Sequence, residues 1–202
     1  MTEATHALRG ARRRCMEFLG WSSSVFLMVG ALAIGYAAYM VVAGQAYQAI
    51  ELRKFKVEAP PFEPRVLEIG EAMGQIQIPS VGLQAVILHG DSAKILRLGV
   101  GHLPETAMPG EQGNVALAGH RDTFFRPLRG VHTGDIITLR TGRGTFRYQV
   151  ESTRIVSPKE IGVLQPSDRK ELTLVTCFPF DYVGPAPNRF VVHAVEIVPS
   201  SE

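Results

Sequence analysis

The chain lacks the signatures of several common functions. No GxGxxG run occurs, and the nearest approach, Gly99 to Gly101, leads into His102-Leu103-Pro104-Glu105 rather than into a helical pattern. Nucleotide binding is therefore not indicated. His102, His120, His132 and His193 stand without CxxC or HExxH spacing, so no metal and no other cofactor is expected. The net charge is only +2, and the arginines near the N-terminus account for more than all of it; a nucleic-acid partner is not expected. Internal repeats and low-complexity segments are absent. Cysteine is scarce, with Cys15 and Cys177 the two in 202 residues.

Charge is also missing from Phe18 to Ile50. The centre of that gap, Val25 to Gly44, reads VFLMVGALAIGYAAYMVVAG, and about 20 apolar residues suffice to cross a bilayer as a helix. Arg9, Arg12, Arg13 and Arg14 precede it against only Glu3 and Glu17, so the positive-inside rule places the N-terminus in the cytoplasm. A cleaved signal peptide is the competing reading. The apolar run is longer than a signal core, and no clear A-x-A site follows it, which favours an uncleaved anchor. The expected plan is a cytoplasmic tail at 1–20, a transmembrane signal-anchor helix at 21–48, a stalk at 49–73 and an extracytoplasmic domain at 74–202. Pro60, Pro61 and Pro64 suit the stalk, because proline disfavours a continuing helix. Cys15 and Cys177 then lie on opposite sides of the membrane and cannot pair within one chain. Cys177 is expected to be a free thiol, with a buried, inert cysteine as the competing reading. Cys15, beside the membrane, is a candidate for acylation.

From Gly74 the pattern turns short and β-like. QIQIP, LQAVILHG, GNVALAG, DIITLR, TFRYQVESTRIV, LTLVTC and RFVVHAVEIV succeed one another, rich in β-branched residues and partly alternating with period two. Glycines separate them, and TGRG at Thr141 to Gly144 reads as a hairpin between two of them. Helical pattern is limited to SAKILRLG after Asp91 and FFRPLRG after Thr123. Seven or eight strands in about 125 residues point to an all-β fold, a closed or nearly closed barrel.

Three residues carry chemistry. Cys177 ends the apolar run TLVTC, His120 stands in LAGHRDTFF, and Arg189 stands in PNRFVVHAV. A thiol is a strong nucleophile only as thiolate, so an enzyme that uses one needs a proton partner and a cation to steady the oxyanion. His120 and Arg189 are of the right types. Each alone has a bland reading: a core cysteine, a histidine closing a turn, a solvated arginine. Asp122 is placed either to orient His120 or to cap the short helix after it.

The residues GVGHLPETAMPGEQGNVALAGHRDTFFRPLRGVHTGD (Gly99 to Asp135), LTLVTCFPF (Leu172 to Phe180) and NRF (Asn188 to Phe190) closely resemble the sortases, most of all their class D and class E branches. The likeness covers roughly Gly74 to Val198. It implies a sortase-type eight-stranded β-barrel on the outer face of a membrane. It also implies a cysteine transpeptidase that cuts an LPxT-like C-terminal sorting signal after the threonine and passes the acyl group to an amine. The partners so implied are proteins bearing that signal, an amine acceptor such as a peptidoglycan precursor or a pilin lysine, and the lipid bilayer. The family's nucleophile, histidine and arginine match Cys177, His120 and Arg189, and the backbone N–H of Phe178 matches the oxyanion donor. Substrate contacts are expected from Leu117 and Ala118, from Val175 and Thr176, and from Ile161, Val163 and Leu164 in the segment Ile155 to Ser167, although these last three can equally fold into the barrel. LPETA at Leu103 to Ala107 looks like a sorting signal itself. It is neither C-terminal nor followed by an apolar segment and a basic tail, and is read as structural. PPFEP does not match the Asp-Pro-aromatic lid of pilin-polymerising sortases, which favours surface anchoring. The L,D-transpeptidases also combine His, Cys and Arg, but TCFPF does not fit their motif. A membrane-tethered module with an inert Cys177 is the remaining alternative, together with a sortase that acts mainly as pilin polymerase or hydrolase.

Overall fold

The computed structural model describes residues 3–57 and 67–197, with side chains for 24–52, 67–160 and 162–197. Two compact units divide it, Met1–Gln45 and Ala46–Glu202. Helix α1 runs Glu3–Val57. Its Ser24–Leu52 segment is long and apolar enough to cross a membrane, and none of that segment's most apolar window is buried. Phe26, Leu27, Leu32 and Ile34 are exposed to two thirds or more, an apolar surface that water does not favour and lipid does. The side chain of Cys15 and the proline-rich part of the stalk lie outside the described residues.

The second unit is built around a closed barrel of eight strands. These are β1 (Ala72–Ile78), β2 (Leu83–His89), β3 (Val100–His102), β4 (Gly113–Ala118), β5 (Ile136–Thr141), β6 (Gly144–Val156), β7 (Lys170–Phe178) and β8 (Asn188–Glu196). Around the barrel the order is β1-β2-β3-β4-β7-β8-β6-β5, closing from β5 back to β1. Closure leaves no free sheet edge among these strands. Most pairs are antiparallel, but β2 with β3 and β4 with β7 run parallel. The first parallel pair needs a crossover, and helix α2 (Ala93–Leu98) supplies it. Ser92 caps that helix through its side chain at the Ile95 N–H, as a serine at this position does.

The expected strands all appear, and the TGRG hairpin pairs Thr141 with Gly144. The pattern after Thr123 forms a five-residue 3-10 turn, Arg126–Gly130, capped at Phe125 without a side-chain hydrogen bond. Asp122 is therefore not its cap. Strand β3 has no counterpart among the expected strands: its three residues, one of them glycine, are too few to show a period.

Period two puts alternate residues on opposite faces. Ile76, Ile78, Val115, Leu117, Leu172, Leu174, Val192 and Ala194 turn inward and form one fully or almost fully buried core with Phe125, Leu128 and Tyr148. Burial of each large side chain contributes about 1.5–3 kcal/mol. Outside the barrel, Val86, Leu88 and Ile95 make a smaller cluster, covered by Tyr47 and Leu52 from the last turns of α1. Gln48 is buried between them. Its Oε1 accepts the Val86 N–H at 2.8 Å, and its Nε2 donates to the Leu98 carbonyl. Val86 lies one residue before the β2–β3 pairing begins, and Leu98 is the last residue of α2, so the amide satisfies backbone groups at the end of a ladder and of a helix.

Candidate active site

Strands β4, β7 and β8 lie side by side, with β7 in the middle. On β7 the inward residues are Leu172 and Leu174, so Thr173, Val175 and Cys177 face outward. On β4, Val115 and Leu117 face inward, which leaves Asn114, Ala116 and Ala118 on the outer face. The two outer rows pair directly, Ala116 with Thr173 and Ala118 with Val175. They form a floor of small side chains that leads to Cys177.

Register decides what meets at the end of that floor. In the antiparallel β7–β8 ladder Cys177 stands opposite Arg189, and directly opposed residues share a face with Cβ atoms about 4.5–5.5 Å apart. The β4–β7 pairing ends at Ala118 with Val175 and is prolonged by the Gly119 N–H donating to Val175 O at 3.2 Å. Two residues past that last pair, Cys177 is still on β7, while His120 lies in the turn that leaves β4. His120, Cys177 and Arg189 thus come from the same end of three neighbouring segments, each partly exposed. Cys177 is a free thiol. Among the described residues the Arg189 guanidinium engages only through Nη1, which donates to the carbonyls of Asn188 at 3.0 Å and Ala186 at 3.3 Å. A guanidinium carries five N–H donors, so capacity remains for a ligand.

Local packing fixes these positions. Phe125, fully buried, lies against the backbone of Gly119, where a Cβ would come within 2.8 Å of its ring. Glycine is needed there for the ring to approach. The Phe125 N–H returns to the His120 carbonyl at 3.0 Å, closing the turn that ends β4. Thr176 is buried on the inward side, its hydroxyl donating to Gly119 O at 2.7 Å, which ties β7 to the residue before His120. Beneath Cys177 and Arg189, Phe178, Phe180 and Phe190 pack with centroids 5.3–6.4 Å apart, Phe178 stacked on Phe190 and Phe180 edge-on to both. Aromatic pairs of this kind contribute about 0.5–1.5 kcal/mol each beyond burial. Phe178 is the last residue of β7, opposite Asn188, and its bond to Pro179 is cis.

Arg121 carries no signal in the sequence pattern. It donates from Nη1 to Pro179 O at 3.0 Å and from Nη2 to Tyr182 O at 2.7 Å and Gly184 O at 3.0 Å. Its guanidinium carbon also lies 5.7 Å from the Tyr182 ring centroid, within cation–π range. The residue after His120 therefore grips the connection that follows Cys177. Arg126 and Arg129 reach Asp181 of the same connection at 3.7 and 3.9 Å, but all three side chains are exposed and such pairs contribute little.

The expected substrate contacts separate by parity. Ala118 and Val175 lie on the outer floor, partly exposed, beside Cys177. Leu117 and Thr176 point inward and are buried, bracing the site from below. Val163 and Leu164 are partly exposed in the β6–β7 connection; the side chain of Ile161 lies outside the described residues. LPETA is folded into the structure: Thr106 Oγ1 donates to Leu103 O at 2.7 Å and accepts the Ala116 N–H at 3.1 Å.

Comparison with known proteins gives one family throughout. The sortase-domain family model matches residues 76–197. Sortase D of Bacillus subtilis is 36% identical over 131 residues, covering 64% of this chain and 66% of that protein. Sortase SrtE1 of Streptomyces coelicolor is 30% identical over 180 residues, covering 77% of this chain and 51% of that protein. The chain thus spans about two thirds of the first relative's length and about half of the second's. Among solved structures, the sortase D5 transpeptidase of Clostridium perfringens superimposes with a TM-score of 0.64 at 28% identity, covering 76% of this chain and 98% of that one.

Proposed function

The chain belongs to the sortase family, and from that premise we propose that it is a membrane-anchored cysteine transpeptidase. One observation supports the reading: the register that sets Cys177 opposite Arg189, beside the strand end that His120 follows by two residues. In this reading the Cys177 thiolate attacks the threonine carbonyl of an LPxT-like signal. The bond to the next residue breaks, and His120 gives a proton to the departing amine. A thioester joins the substrate to Cys177. An incoming amine then attacks that thioester, His120 takes its proton, and the thiolate is restored. Arg189 donates to the developing oxyanion or to the signal backbone, and the Phe178 N–H completes the oxyanion site. The substrate lies along the floor of Ala118 and Val175, with Val163 and Leu164 beside it.

The apolar helix anchors the protein. The arginines at positions 9 and 12–14 place its N-terminus in the cytoplasm and the barrel outside. Partners are proteins bearing the signal and an amine acceptor at the cell surface, and no cofactor enters the chemistry.

The test is mass spectrometry of the full chain in nanodiscs, incubated with an LPxTG or LPxTA peptide and then with an amine. The expected result is an acyl adduct on Cys177 that the amine discharges, and no adduct with Cys177→Ala. A Cys177 that alkylates readily but forms no adduct with any LPxT peptide overturns the proposed signal. A thiol inert to both reagents overturns the enzymatic reading and leaves a tethered, non-catalytic module.

A further inference from the structure

The outer row of β4 and β7 holds two buried polar side chains that the proposed chemistry leaves unused. Asn114 is 5% exposed and Thr173 is 2% exposed. The Thr173 hydroxyl donates to Asn114 Oδ1 at 2.8 Å, which fixes the amide's orientation and turns its Nδ2 the other way. Nδ2 donates to Val163 O at 3.2 Å and Gln165 O at 3.4 Å. Both amide hydrogens are thereby spent on carbonyls of the 161–165 turn, and a buried amide finds its full set of partners. Thr173 Oγ1 also lies 3.4 Å from Val163 O, but its single hydrogen serves the shorter contact. The turn is a single short 3-10 helix, Ile161–Leu164, whose end is closed by Gln165 N donating to Gly162 O at 3.3 Å. Its attachment to the barrel here rests on Asn114.

We propose that Asn114, oriented by Thr173, is a positioning residue that sets affinity for the sorting signal by pinning the 161–165 turn, and with it Val163 and Leu164, beside the β4–β7 floor. This rests on the reading of the site given above. The pin lies on the same outer rows as Cys177 but two residue pairs back from it: Thr173 is followed on that face by Val175 and then Cys177. Asn114 touches none of the reacting groups, so its loss falls on binding and not on chemistry. Each buried hydrogen bond contributes on the order of 1 kcal/mol, which corresponds to roughly a fivefold effect, so one or two released carbonyls give roughly five- to twenty-five-fold.

The experiment compares Asn114→Asp, Thr173→Val and Thr173→Ser in the full chain in nanodiscs, with an LPxTG peptide and an amine. Asn114→Asp keeps the acceptor for Thr173 but turns a carboxylate oxygen on two carbonyls. KM is expected to rise about tenfold or more with kcat little changed. Thr173→Val, of similar shape but without the hydroxyl, raises KM less, and Thr173→Ser restores the wild-type value. Hydrogen exchange read on the same proteins is expected to quicken at 162–166 in Asn114→Asp and to stay unchanged along β7 and β8. Unchanged exchange at the turn overturns the pin. Faster exchange with KM unchanged, or with the loss in kcat instead, overturns its role in affinity. A wild type inert toward every signal peptide is a failure of the functional reading alone, and exchange then decides whether the pin exists.

Discussion

Two histidines stand at neighbouring strand ends: His102 closes β3, and His120 lies two residues past the end of β4. His102 is wholly buried, while His120 is partly exposed. Both His102 ring nitrogens are engaged, Nε2 with the Ala107 carbonyl at 3.0 Å and Nδ1 with His89 Nδ1 at 3.3 Å. Among the described residues the hydrogen bonds of His120 are made by its backbone, which closes the turn against Phe125. A histidine whose two nitrogens are both committed inside the protein has no proton to exchange with a substrate. One held by its backbone alone leaves its ring unengaged, as the proposed mechanism requires of its acid and base. The difference between the two separates residues that make the barrel from residues that use it, and variants divide the same way.

The largest effect is expected at His120. His120→Ala lowers kcat/KM for a signal peptide by about 10²–10⁴, while the thermal unfolding midpoint of the full chain, followed by calorimetry, stays near wild type. A large fall in the midpoint would erase the contrast with His102. Arg189→Lys comes next. It keeps the charge but loses the fork that lets one side chain hold the loop carbonyls and a ligand together; kcat is expected to fall by about 10²–10³, measured with saturating peptide. Arg121→Lys is milder. Lysine cannot reach the three carbonyls of the β7–β8 connection with the same fork. With about 1 kcal/mol lost for each of one or two hydrogen bonds, kcat/KM is expected to fall roughly tenfold, with faster hydrogen exchange confined to 180–186.

Much of this contrast was legible beforehand. LTLVTC reads as a strand, and period two along it puts Thr176 on the face opposite Cys177; which face is inward, and that Leu117 shares it, follows only from the β4–β7 register. Distance in sequence hid the rest. Arg121 meets carbonyls about sixty residues away, and Asn114 meets a turn about fifty residues away, with no local pattern to betray either. Gln48 sits as a neutral amide at the end of an apolar run, where composition reads only membrane. His102 lay beside a glycine pair in a three-residue strand, too short for periodicity to distinguish from loop.

The smallest expected effect lies at that second histidine and concerns stability alone. Burial pushes the His102 imidazole below its ordinary value; the Ala107 carbonyl opposes this, and nearby His89 adds to it while Glu111 works against it. The Ala107 contact assigns the proton to Nε2, so Nδ1 is bare and accepts from His89. A second proton on His102 would have to enter at Nδ1, against the His89 hydrogen. The folded protein therefore resists protonation while the unfolded chain takes up a proton at the ordinary value near 6.5. Below that value the unfolded state binds more protons, so stability is fully present above it and is lost as pH falls through it toward the lowered folded value. His102→Gln does not titrate. At pH 8 it is expected to cost about 1–3 kcal/mol for the disturbed buried hydrogen bonds, and the gap from wild type should narrow as pH falls from about 7 to 5. Denaturant unfolding across that range measures it. Peptide turnover at pH 8 should not change. If His102→Gln impaired turnover at wild-type stability, the division between the two histidines would be wrong, and His102 would belong to the site.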